Sequence, residues 1–307
     1  MKKSDETKML EVFNVSYNKI KENGNKIALL LDEIEENTSS SFAKKSWDRY
    51  FRDLSFGSYR PFRNKEKNQG RERVWHYLLK NLALVDRLYA KENSDKETQI
   101  LDIGCSSGYL RRFIEGNHNG HSSNNLYYWG IDIRKDMIID ATCDESNIES
   151  GASGDFIPSV FAVHDVGKSL PFKSKSFDYV VIFEMIKYLT IKDGKTLISE
   201  TKRVLKKGGT LVISTPTSYE YYKQKRPDHI ISLAPNELIE ILESNQFGIE
   251  NVYGSQSLYK YLKDNIKANH KEVFNLLNEY LPNEIITSIF SPLYPEYSTQ
   301  ITLYAHA

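Results

Sequence analysis

A chain of 307 residues with 40% apolar side chains can bury the core of a large α/β domain, which excludes a globally disordered protein. Its 41 Lys and Arg balance 41 Asp and Glu, so a protein built chiefly to coat nucleic acid is disfavoured. Two cysteines, Cys105 and Cys143, exclude a disulfide framework or a cysteine metal cluster.

The chain opens on MKKSDETKML, which is charged and lacks an apolar h-region, so no signal peptide is expected. The run IALLL at Ile27–Leu31 is too short to span a bilayer. The expectation is a cytoplasmic protein with no membrane partner. Weak helical periodicity around Ile20, Ile27, Leu30, Leu31 and Ile34 predicts a helical N-terminal lid region over residues 1–70. Between Phe42 and Arg73, basic residues such as Arg49, Arg52, Arg60 and Arg63 interleave with Trp47, Tyr50, Phe51, Tyr59 and Phe62. That mixture suits single-stranded RNA, a lid over a ligand, a lid over an anionic small substrate, or a solvated helix with its aromatics packed inward. Zero net charge favours the lid.

A helix is expected from near Arg71, with Val74, Tyr77, Leu78, Leu82 and Val85 on one face. Five apolar runs follow: Ile100–Ile103, Tyr127–Ile133, Val160–Val163, Tyr179–Phe183 and Thr210–Ser214. Helical or turn-rich segments separate them, the pattern of βαβ units and a parallel sheet. Residues 195–206 read as a helix stopping at Gly208-Gly209, and APNELIEILESNQFG reads as another, with Leu238, Ile241 and Leu242 inward. The expected organisation is a core over 71–257, a helical insert over 258–295 and a final core strand over 296–307.

In open α/β sheets ligands sit beyond the carboxyl ends of the strands. In QILDIGCSSGYL the first strand runs into Asp102, Gly104, Cys105, Ser106 and Gly108, where backbone can approach a ligand closely at a helix N-terminus. Asp132 and Ile133 end the second strand, Asp165 and Val166 follow the third, and Phe183 and Glu184 end the fourth. An acid ending the second strand suits two ribose hydroxyls, and one after the third suits an adenine amino group. A dinucleotide fingerprint would need G-x-G-x-x-G; the spacing here is G-x-x-x-G, and no G-x-x-x-x-G-K-[ST] phosphate loop occurs. Cys105 reads as a small residue against a cofactor, with no base beside it to activate a nucleophile.

In LDIGCSSG, WGIDIRKDMI, HDVGKSLPFKSKSFDYVVIFEMIKYL and RVLKKGGTLVISTP the chain resembles the class I S-adenosylmethionine-dependent methyltransferases, the group that includes ubiquinone and small-molecule methyltransferases. Ser106 stands where that family's first motif carries its middle glycine. The resemblance implies a Rossmann-like fold with seven strands, mostly parallel, ordered 3-2-1-4-5-7-6 with the seventh antiparallel. It also implies S-adenosyl-L-methionine as donor and S-adenosyl-L-homocysteine as product. Asp102, Gly104, Cys105, Ser106, Gly108, Asp132, Ile133, Asp165, Val166 and Phe183 are the implied cofactor residues.

Methyl transfer needs proximity and orientation first, and a base only for some acceptors. Many relatives carry a Glu-His pair after the fourth strand; this chain has Glu184 and, in the histidine's place, Lys187. His229, in RPDHI, is the remaining candidate base, close to Tyr219, Tyr221 and Tyr222. The favoured acceptor is an O or N of a small molecule. RNA, or a non-catalytic role as a cofactor-binding partner subunit, is the alternative. No metal site is expected, and the oligomeric state is not legible.

Overall fold

The computed structural model describes residues 1–31, 80, 81, 83–89, 97–116, 125–143, 157–217, 233–255, 257 and 259–307. The core is one nine-stranded sheet: β1 (Asn18–Asn23), β2 (Lys26–Leu30), β3 (Thr98–Ile103), β4 (Leu126–Asp132), β5 (Ser159–Val163), β6 (Phe177–Phe183), β7 (Leu205–Pro216), β8 (Gly248–Ser255) and β9 (Gln300–His306). Their order is β1-β2-β5-β4-β3-β6-β7-β9-β8. Strands β3 to β6 and β7 run parallel, while β9 runs antiparallel to both β7 and β8. From β5 to β8 this is the 3-2-1-4-5-7-6 arrangement that the resemblance implied. Because helices cover both faces, the central strands are apolar on both sides; in β5, SVFAV, every residue is buried.

Helices α1 (Lys3–Leu10), α2 (83–89), α3 (Tyr109–Gly116), α4 (Lys135–Thr142), α5 (Ile191–Val204) and α6 (Pro235–Ser244) flank the sheet. Thr190 caps α5, its hydroxyl accepting the Asp193 N–H at 3.1 Å, and Leu197, Ile198, Thr201 and Val204 form its buried stripe. The helix therefore ends at Val204, not at Gly208-Gly209. From Leu205 the chain is already pairing with β6. Pro235 starts α6, and Glu237 accepts the Ala234 N–H at 2.6 Å. In α2, Leu84, Val85, Leu88 and Tyr89 are buried, and Arg87 lies over the Tyr304 ring at 4.0 Å while pairing with Glu250 at 2.8 Å.

The N-terminal reading needs correction. Residues 18–30 form a β-hairpin, not a helix, with β2 parallel to β5 and β1 at the sheet's edge. Asn23 pairs with Lys26, so Gly24-Asn25 is the two-residue loop, and Gly24 takes φ 57° at its first position. Of the positions read as a helical stripe, Ile20 lies in β1, Ile27 and Leu30 lie in β2, Leu31 follows it, and Ile34 lies outside the described residues. Helix α1 covers one end of the sheet: Met9 is buried and its carbonyl accepts the Trp129 indole N–H at 3.0 Å. The proposed lid residues between Phe42 and Arg73 lie outside the described residues.

Between β8 and β9 lie α7 (Tyr259–Asn265), α8 (Ala268–Tyr280) and α9 (Asn283–Phe290), followed by two short 3-10 turns. This segment has its own small core of Leu262, Phe274, Ile286, Phe290 and Tyr294. It meets the sheet at Gly254, where a methyl group would stand 2.1 Å from the Ser298 hydroxyl and 2.5 Å from the Ser291 carbonyl. Gly254→Ala should cost about 1–3 kcal/mol of stability through overpacking, read as a lowered urea midpoint. An unchanged midpoint would show the junction to be loose. Among the described residues no helix is long and apolar enough to cross a membrane.

Candidate functional site

The carboxyl ends of β3, β4, β5 and β6 open on one side of the sheet, and the predicted cofactor residues collect there. After β3 the chain turns sharply: Gly104 and Cys105 N–H groups both reach the Ile131 carbonyl of β4, at 2.8 and 3.1 Å. Gly104 at φ 80° and Ser106 at φ 50° are left-handed, which is costly for serine, so this loop stores strain at the carboxyl end of β3. A Cβ on Gly104 would also strike the Met185 side chain at 2.6 Å. Gly108 takes φ 75° before α3 begins at Tyr109.

Asp132, at the end of β4, ties this loop to the next. One carboxylate oxygen accepts the Ser106 N–H at 2.9 Å, the other the Arg134 N–H at 2.9 Å. Each oxygen retains a lone pair for a further donor. Burial raises its pKa above the ordinary carboxylate range, with those two N–H bonds opposing. Ile133 is exposed beside it. Asp165 follows β5 and accepts the Gly167 N–H at 2.9 Å, forming a tight turn that presents Val166. Asp102 is buried at the end of β3 and accepts the Tyr128 hydroxyl. Desolvation dominates its ionisation, pushing its pKa to about 7; the Tyr128 bond opposes this and the nearby Asp132 charge reinforces it. Cys105 packs over Gly130 and stays a thiol, because burial and then the charges of Asp102 and Asp132 disfavour the thiolate.

The end of β6 is different in kind. Glu184 sits at φ 58°, and its carboxylate accepts the Ser214 hydroxyl at 3.0 Å, Lys187 Nζ at 3.2 Å and Lys80 Nζ at 3.4 Å. The Gln300 amide, with its nitrogen turned inward, adds contacts at 3.1 and 3.3 Å. Lys80 also lies 4.5 Å over the Phe183 ring. The structure thus brings Glu184 and Lys187 together as the sequence suggested, and adds Lys80, Ser214 and Gln300, which sequence reading missed. Ser214 could have been found as the polar end of an apolar strand; Lys80 carries no local signal. His229, Tyr219, Tyr221 and Tyr222 lie outside the described residues.

Such a sheet, with an acid after the second core strand and a strained small-residue turn after the first, defines a nucleoside-binding α/β domain. Residues 101–213 match the sequence profile of a family described as a methyltransferase domain. A probable S-adenosylmethionine-dependent methyltransferase of Mycolicibacterium smegmatis is 28% identical over 162 residues, 50% of this chain and 54% of that protein. The U6 snRNA methylphosphate capping enzyme Amus of Drosophila melanogaster is 24% identical over 214 residues, covering 62% and 69% respectively. Among solved structures, the magnesium protoporphyrin IX methyltransferase of Synechocystis aligns with a TM-score of 0.52 at 15% identity, over 87% of this chain and 94% of that one. This likeness is one of fold. The chain spans about half the length of the first curated relatives it matches, at 54%. Over residues 101–213 the chain is similar to S-adenosylmethionine-dependent methyltransferases and carries the methyltransferase domain they share.

Proposed function

We propose that this chain transfers a methyl group from S-adenosyl-L-methionine to an O or N atom of a small molecule. The observation that carries the reading is Asp132. Its two oxygens accept N–H groups of two neighbouring loops at the strand ends, and each keeps a lone pair for a further donor, the acceptor pair a ribose diol requires. Asp165 and the Val166 backbone serve the adenine end, and the Gly104–Gly108 turn gives close backbone approach to the amino-acid end. The residues present fit the cofactor. Bound there, it supplies an electrophilic methyl group on a sulfonium. The protein's part is then to hold the acceptor in line and exclude water.

Glu184 is surrounded by donors, so it is better suited to orient Lys80 and Lys187 than to accept a proton itself. His229 remains a candidate base. An RNA acceptor is the second reading, supported by the activity of the fly relative and by the basic aromatic segment.

Calorimetric titration should show S-adenosyl-L-homocysteine binding in the micromolar range, about −8 kcal/mol. No heat and no thermal shift with that ligand, alongside a shift with NAD, would overturn the cofactor assignment. For the acceptor, filter binding of RNA with a steep salt slope would favour the second reading over the first.

A further inference from the structure

Four separate pieces of chain deliver polar side chains to one point beside the nucleoside half of the crevice. Lys80 enters from a helical position just before the α2 residues 83–89, Lys187 from the 3-10 turn after β6, Ser214 from β7 and Gln300 from the start of β9. All of them meet the Glu184 carboxylate. The two ammonium-bearing side chains are only 2% and 8% exposed, whereas Glu184, at 13%, is the member nearest solvent. Both ammonium contacts, at 3.4 and 3.2 Å, exceed the roughly 2.7–2.9 Å of a well-formed charge-assisted bond. Glu184 reaches them from a left-handed backbone conformation that non-glycine residues adopt at a cost. Two buried ammonium groups, a hydroxyl and an amide converging on one point form a receptor for an oxyanion. The oxyanion now in it is held at long range by a strained residue at the rim.

We infer that Lys80 and Lys187 receive an anionic group of the methyl acceptor, a phosphate or a carboxylate, which takes the place of the Glu184 carboxylate between the two ammonium groups. This rests on the methyl-transfer reading for the identity of the neighbouring ligand. Position selects the acceptor over the cofactor. Asp132 and Asp165 end β4 and β5, on one side of β3, whereas the receptor lies at the ends of β6, β7 and β9, on the other. In an open sheet those two sides of the switch point serve different parts of the bound assembly. Burial of the lysines makes the site selective, because a charge pair gains far more there than in water. Desolvation draws the Lys80 ammonium below its ordinary pKa, with Glu184 opposing, so an incoming anion would also secure its charged form. Asp102 contributes a further negative charge felt by Lys80.

The test titrates inorganic phosphate into the full chain saturated with S-adenosyl-L-homocysteine, against sodium chloride of equal ionic strength. Phosphate should raise the melting temperature and bind measurably by calorimetry. Lys80→Met and Lys187→Met should each weaken phosphate binding at least about tenfold, as expected for loss of a charged hydrogen bond. Glu184→Gln should tighten it, a gain that misfolding cannot mimic. Lys192→Met, on the exposed surface of α5, should leave it unchanged. Three results would each overturn the inference: no phosphate effect beyond that of chloride, phosphate binding unaltered by the Lys80 and Lys187 variants, or a Glu184→Gln variant that binds phosphate more weakly. A loss of homocysteine-ligand affinity in the lysine variants with phosphate binding intact would also overturn it, since the anion would then be the cofactor's own carboxylate. Failure to bind S-adenosyl-L-homocysteine at all would strike the methyl-transfer reading, while phosphate titration of the ligand-free protein would still report on the receptor.

Discussion

Asp132→Ala should lower the affinity for S-adenosyl-L-homocysteine by at least tenfold, since each charge-assisted bond from a ribose hydroxyl is worth about 1.5–3 kcal/mol. The same change removes the acceptor for the Ser106 and Arg134 N–H groups, so the small-residue turn after β3 and the start of α4 lose their common anchor. A moderate drop in melting temperature should accompany the loss of affinity. Asp132→Asn separates the two effects. It keeps one acceptor oxygen and so part of the loop anchoring, but it loses the charge and one of the two acceptors a diol needs. Calorimetry on both variants, with circular dichroism to confirm folding, gives the answer. Unchanged affinity in Asp132→Ala would make this residue a loop fastener and nothing more.

The second large effect concerns pH. Asp102 is buried with a pKa raised from 3.8 to about 7, chiefly by desolvation. A carboxyl raised in the folded state binds its proton more tightly there than in the unfolded chain. Its contribution is therefore fully present below about pH 4 and is lost as pH rises through about 7, for a total on the order of 4 kcal/mol. Asp102→Asn keeps the shape and an acceptor for Tyr128 but has no proton to lose. In urea unfolding at pH 5 and pH 8, the native protein should lose stability between the two values. The variant should lose much less and should be the more stable of the two at pH 8. Parallel behaviour of the two proteins would mean that Asp102 stays ionised at pH 5, held by Tyr128 and the Lys80 charge against burial.

Most of the sheet was legible because its strands are continuous apolar runs ending in Asp102, Asp132, Asp165 and Glu184, and local sequence carries all of that. The hairpin at 18–30 was missed although the Gly24-Asn25 dipeptide of its loop announces it. Apolar residues spaced irregularly from Ile20 to Leu31 fit a loose helical stripe as well as two paired strands, and pairing with β5 decides between them. The end of α5 was misplaced for a related reason: Leu205 favours either structure, and its partner Phe177 pulls it into the sheet. Within the site, the turn after β3 was readable because strain there demands small residues. The meeting of Lys80 with Glu184 was not, since 104 residues separate them and a lysine among apolar helical residues looks like part of any solvated helix face.

The hairpin also bears on how the protein behaves at high concentration. Strand β5 is apolar along its whole length, and without β2 its outer row of N–H and C=O groups would face water as a ready template for pairing with a second molecule. The strand now at the boundary, NKIKEN, is mostly polar, carries Lys19, Lys21 and Glu22, and is interrupted by a register shift between Lys19 and Lys21. Such an edge resists addition of another strand. The first 31 residues thus act as a guard against self-association, and a protein shortened to begin after them should form intermolecular sheet and precipitate.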